Sequence, residues 1–199
     1  MSAPAFLVSG PSRVGKTTIA RRLADALMCP FASFGDFVRS QTPDLSRGPT
    51  LTRTELQDLG QQLVTKDPVA FCRSVLLSGG FEPDRPLVLD GLRHLALLPV
   101  LSSIIAGPLK IIYVEAAHDL RISRWEDKIT EAALLSVDSH AVEADLGGIR
   151  EIADLVVNTE IGAEAAFCGL IDWITGLYPD LGTGPPSDDL PAHSRSAES

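Results

Sequence analysis

Residues 10–17 read Gly-Pro-Ser-Arg-Val-Gly-Lys-Thr, two glycines with four residues between them, then a lysine and a hydroxyl. This pattern suits the capture of a polyphosphate. Glycine lets the backbone curl until successive N–H groups converge on one anion. A helix that begins at the second glycine adds the positive end of its dipole. Lys16 then reaches the outer phosphates, and the Thr17 hydroxyl is placed to hold Mg²⁺. The spacing fits GxxxxGK[ST], and its setting between an apolar strand (Ala5–Ser9) and a helical pattern gives it weight. Gly10, Pro11, Ser12, Arg13, Val14, Gly15, Lys16, Thr17 and Thr18 are therefore expected to bind ATP with Mg²⁺.

Three further segments carry chemistry-bearing side chains. In Ser33-Phe-Gly-Asp-Phe-Val-Arg39, Asp36 is placed to cap a helix, and Arg39 shares its face three positions on. A guanidinium there can grip a second phosphate with two parallel hydrogen bonds. In Leu87-Val-Leu-Asp-Gly-Leu-Arg-His94, an acid ends an apolar run. Asp90 can fix the Mg²⁺ shell through water, and Arg93 adds a phosphate-seeking cation. Arg121 and Arg124 stand three apart on a helical pattern and suit a phosphoryl group in transfer. Hydrolysis alone needs one phosphate grip and a positioned water. Transfer needs two anionic ligands in line, and therefore arginines away from the phosphate loop. Lys16, Asp36, Arg93, Arg121 and Arg124 are the expected catalytic set, with Thr17 and Asp90 on the metal.

The elements that must position these residues alternate along the chain. Buried-strand candidates are Ala5–Ser9, Pro30–Phe34, Leu87–Asp90, Lys110–Val114 and Asp154–Val157. Helical patterns cover Gly15–Met28, Thr54–Lys66, Pro68–Leu77, Ala116–Ile129 and Gly162–Leu177. Continuous apolar strands separated by helices mark a parallel sheet covered on both faces, where ligands gather at the carboxyl ends of strands. On the Thr54–Lys66 helix, Gln57 and Gln61 are candidates to read the edge of an acceptor base. His140 and Glu143 read as a solvated helix start more readily than as a metal pair, and Trp125 and Trp173 as core residues. His94 is open to either a ligand contact or a structural role.

At 199 residues and 45% hydrophobic, the chain suffices for one domain with a full core. Its 17 Lys+Arg against 26 Asp+Glu give a formal charge of -9, which argues against a nucleic-acid polymer as partner. A compact basic pocket for a small anion remains compatible with that balance. The three cysteines have no metal-ligand spacing and read as buried thiols of a reducing cytoplasm. The apolar stretch Leu95–Ala106 is too short to cross a bilayer. Residues 182–199, rich in Pro, Ser, Asp and Gly, are expected to form a disordered tail.

With these residues in view, the sequence resembles the P-loop nucleoside monophosphate kinases, phage-type deoxynucleotide kinases among them. "GPSRVGKTT" is similar to their phosphate loop, "SFGDFVR" to the segment beside the acceptor monophosphate, "LVLDGLRH" to their Asp-Gly-x-(Pro)-Arg stretch without its proline, "LRISRW" to the arginine pair where the lid begins, and "ADLVVNT" to the final strand. The resemblance implies a three-layer α/β/α fold over residues 1–181, with a five-stranded parallel sheet of order 2-3-1-4-5. It also implies acceptor-binding helices at about 35–80 and a short helical lid at about 121–140. The implied activity is transfer of the γ-phosphoryl group of ATP to a (deoxy)nucleoside monophosphate held by Asp36, Arg39, Gln57, Gln61 and Arg93. Dephospho-coenzyme A kinases share several of the same motifs, and a nucleotide-gated switch acting on a protein partner is the alternative from another class.

Overall fold

The computed structural model describes residues 3–42, 52–124 and 141–181. Its strands are β1 (Ala5–Ser9), β2 (Phe31–Ser33), β3 (Leu87–Asp90), β4 (Leu109–Glu115) and β5 (Leu155–Asn158). They form one sheet in the order β2-β3-β1-β4-β5, and every neighbouring pair is parallel. The five-stranded sheet is the one the resemblance implies.

Alternation along β1 explains the two covering layers. Ala5 and Leu7 enter one apolar cluster, and Phe6 and Val8 enter the other. The first cluster is closed by α2 (Phe34–Ser40), α3 (Arg53–Lys66), α4 (Pro68–Ser78), α5 (Leu98–Ile105) and α7 (Ala141–Glu151). The second is closed by α1 (Lys16–Ala26) and α8 (Ala163–Leu177), and Trp173, expected in the core, is partly buried against its edge. The short helix α6 (His118–Ser123) follows β4.

Register brings the candidate segments to one level. Val8 pairs with Asp90, and Asp90 pairs with Ser33, so the exits of β1, β3 and β2 lie side by side. The chain passes from β1 to β2 on one flank and later to β4 on the other. That reversal opens a crevice at the carboxyl ends of the strands, above β1.

Several local expectations change. Asp36 is not the cap of α2: the Ser33 hydroxyl accepts from the Asp36 N–H at 3.2 Å, so the helix starts directly at the strand end. The stretch Leu95–Ala106, given no element on sequence alone, forms a 3₁₀ turn and α5. Pro99 sits in the first turn, where its missing N–H costs nothing. Cys72 is buried, Cys29 partly so, and Cys168 exposed; all three are free thiols. Burial pushes the Cys72 thiol up to about 11. The lid beyond Arg124, with Trp125 and His140, and the tail at 182–199 lie outside the described residues, as does the side chain of Glu143. Among the described residues, no helix is long and apolar enough to cross a membrane, and no cluster of three metal-binding side chains occurs.

Candidate functional site

The phosphate loop leaves β1 at Gly10, whose φ is 142°. A Cβ there would lie 2.1 Å from the Val114 carbonyl oxygen, so only glycine fits between the loop and β4. Arg13 at φ 67° and Gly15 at φ 92° complete the curl, and Lys16 opens α1. Arg13 holds a left-handed conformation without being glycine, a strain typical of functional loops. The Lys16 ammonium bends over the loop and donates to the Pro11 carbonyl at 3.0 Å.

Thr17 and Asp90 meet across the crevice. The Thr17 hydroxyl donates to Asp90 Oδ2 at 2.8 Å, whereas Oδ1 is buried and has no hydrogen-bond partner among the described residues. Asp90 is only 3% exposed, and burial pushes its carboxyl above the ordinary value, with Lys16 and the Thr17 hydrogen bond opposing. A buried carboxylate with an unspent lone pair beside a threonine hydroxyl suits a hydrated divalent cation. The residues present therefore fit Mg²⁺.

A cavity of about 500 Å³ opens in front of the loop. Lys16, Thr17 and Asp90 line one end, with Arg39, Arg93 and His94 also on its wall. Phe34, Val38, Leu56 and Phe71 supply an apolar wall, with Gln57 beside it. Arg93 donates to the Ser12 hydroxyl at 3.3 Å, which ties this cation to the loop. Arg39 lies against Gly35, where a Cβ would stand 3.6 Å from its Nη atoms, and is ion-paired with Asp36. Asp36 also accepts from Arg21 at 2.9 Å. These ion pairs are about half exposed and contribute little stability, roughly 0–1 kcal/mol each. Their effect is positional: one carboxylate holds two guanidinium groups.

The structure places the other expected site residues elsewhere. Asp36 stands behind Arg39 and does not line the cavity, nor does Gln61, whose amide donates to the Thr65 hydroxyl one turn on at 3.2 Å. Arg121 and Arg124 do not line the cavity and engage carbonyls of the phosphate loop. Arg121 is buried and donates through Nε to the Ser12 carbonyl at 2.9 Å, and Arg124 donates to the Arg13 carbonyl at 3.3 Å. Thr159, which the sequence offered no reason to single out, joins them with a hydrogen bond to the Val14 carbonyl at 2.9 Å.

Neither a family model nor a curated protein sequence matches the chain. Solved structures do. Shikimate kinase from Acinetobacter baumannii in complex with shikimate is similar at TM-score 0.58 and 16% identity, over 89% of this chain and 94% of that one. A gluconokinase from Sinorhizobium meliloti 1021 is similar at TM-score 0.54 and 18% identity, over 89% and 97%. An unliganded sugar kinase from Janibacter sp. HTCC2649 is similar at TM-score 0.53 and 19% identity, over 92% and 99%. The chain has the P-loop kinase fold. In this chain the cavity brings together the phosphate loop, Arg93 from the segment after β3 and Arg39 of α2.

Proposed function

We propose that this chain is an ATP-dependent small-molecule kinase whose acceptor is a (deoxy)nucleoside monophosphate. The observation that carries the reading is one cavity lined both by Ser12, Arg13, Lys16 and Thr17 of the phosphate loop and by two further arginines, Arg39 and Arg93. Cations beyond the loop's own lysine suit two anionic ligands, a triphosphate donor and a phosphorylated acceptor. The apolar wall of Phe34, Val38, Leu56 and Phe71 supports a planar ring on the acceptor rather than a polyol, whose hydroxyls would need polar partners there. The described similarity to sugar, shikimate and gluconate kinases supports the broader class of small-molecule kinase.

Each residue then has a defined task. The loop amides and Lys16 hold the outer phosphates of ATP, and Arg39 and Arg93 hold the acceptor phosphate in line with them. Thr17 and Asp90 would hold Mg²⁺, which would supply positive charge to offset that of the phosphates. A phosphate acceptor is already ionised at neutral pH, so no general base is required. Asp36, committed to Arg21 and Arg39, orients the acceptor grip. Gln57 is positioned to meet the ring edge.

The test is a panel of ribo- and deoxynucleoside monophosphates with dephospho-coenzyme A, gluconate and shikimate, each with ATP-Mg²⁺. Transfer to one or more monophosphates is expected. Turnover only on a hydroxyl acceptor would replace the monophosphate assignment, and basal hydrolysis with no acceptor dependence would remove the kinase reading.

A further inference from the structure

We infer that Thr159 is a positioning residue for nucleotide binding, acting through the phosphate loop from its outer side. This rests on the nucleotide-binding half of the proposed function and does not depend on the acceptor.

Three consecutive carbonyls of the loop are each engaged from outside: Ser12 by Arg121 Nε at 2.9 Å, Arg13 by Arg124 Nη1 at 3.3 Å, and Val14 by the Thr159 hydroxyl at 2.9 Å. A trans peptide is planar, with its C=O and the following N–H pointing in opposite directions. Fixing these carbonyls outward therefore turns the N–H groups of Arg13, Val14 and Gly15 towards the other side. Those are amides of the phosphate cradle. The loop gains its inward donors from acceptors pinned behind it.

Thr159 is the keystone of this array. It is 4% exposed, and its one hydroxyl donates to Val14 while accepting from Arg124 Nη1 at 3.2 Å. Its own position is set by Asn158, whose side chain accepts from the Glu160 N–H at 2.8 Å and caps the turn after β5. Valine would keep the volume of Thr159 and remove the donor, so the Val14 carbonyl would lose this partner and the Arg124 guanidinium its acceptor. Serine would keep the donor.

The experiment measures ATP-Mg²⁺ affinity by calorimetry in the full chain, with KM and kcat followed where an acceptor is known. Thr159→Val is expected to weaken ATP binding about tenfold, to raise the KM for ATP, and to leave kcat at saturating ATP within about threefold of wild type. Thr159→Ser is expected to bind ATP within about twofold of wild type. Wild-type affinity in Thr159→Val, or equal weakening in both variants, would overturn the inference. Should Thr159→Val fail to fold, Asn158→Ala against Asn158→Asp carries the same test from the exposed cap: the alanine is expected to weaken ATP several-fold and the aspartate to restore it, and wild-type affinity in the alanine overturns the inference. A wild-type protein that binds ATP yet phosphorylates no acceptor would retire the kinase reading and leave this one standing, whereas one that binds no ATP would sink both.

Discussion

Thr17 and Asp90, brought together from a helix start and a strand end, share one hydrogen bond of 2.8 Å, while the second oxygen of the same carboxylate is buried with no hydrogen-bond partner among the described residues. Folding gains nothing from that second oxygen, since an unmade buried hydrogen bond is a cost. The proposed Mg²⁺ site supplies a reason for keeping it.

Asp90→Asn should therefore separate stability from activity. Asparagine can still accept from Thr17 and carries no buried charge. Melting temperature is expected to hold or rise by about 2–4 °C, the shift that about 1 kcal/mol gives in a chain of this size. Turnover with ATP-Mg²⁺ is expected to fall about 10- to 100-fold, as for a residue acting on a metal through its water shell. Scanning calorimetry and a kinase assay on the same preparation decide it, and full activity would remove Asp90 from the metal site.

Arg39→Ala probes the acceptor end. Losing one charge-assisted grip is expected to raise the acceptor KM about 10- to 100-fold. ATP affinity should stay near wild type, because Arg39 has no hydrogen bond to the phosphate loop among the described residues. Loss of ATP binding in this variant would show that the two ends of the cavity were assigned wrongly.

His94 gives a pH signature. Burial holds its imidazole below the ordinary value of 6.5, with Asp145 opposing and Arg93 reinforcing. The unfolded chain thus takes up a proton at a pH where the folded one does not. The contribution of His94 is present above 6.5 and lost as pH falls from there through the depressed value. Melting curves between pH 7.5 and 5 should show a smaller decline for His94→Gln than for wild type. An identical slope would show that His94 does not contribute to it.

Gly10→Ala tests the loop's exit from β1. The added Cβ meets the Val114 carbonyl oxygen at 2.1 Å on a backbone at φ 142°, so both strand and loop must shift. A loss of roughly 2–4 kcal/mol is expected by chemical denaturation. The Val114 carbonyl cannot yield without disturbing β4, so wild-type stability would contradict the close approach.

Much of this site was legible in the sequence, for reasons that differ by residue. Gly10, Lys16, Thr17 and Asp90 were readable because a loop between a buried strand and a helix constrains residue type at fixed spacing, and an acid ending an apolar run has few structural uses. Gln57 and Gln61 show the limit. They share a helix face by spacing, yet only Gln57 lines the cavity, because the packing of α3 decides how much of that face the crevice sees. The arginine pair after β4 illustrates a second limit: spacing put Arg121 and Arg124 three apart but could not say that they would meet the Ser12 and Arg13 carbonyls. Thr159 closes the ADLVVNT segment, yet a buried hydroxyl at a strand end has no pattern that marks a role; its part here comes from contact with Val14, 145 positions earlier.

That separation bears on how the protein comes into being during synthesis. The glycine-rich turn leaves the ribosome well before the groups that pin its carbonyls, which follow 109, 111 and 145 positions later. A nascent chain that stops short of the fifth strand carries the whole motif and both arginines but lacks Thr159, the partner of the Val14 carbonyl. The carbonyls of the loop are thus all pinned only once β5 and the turn after it have docked.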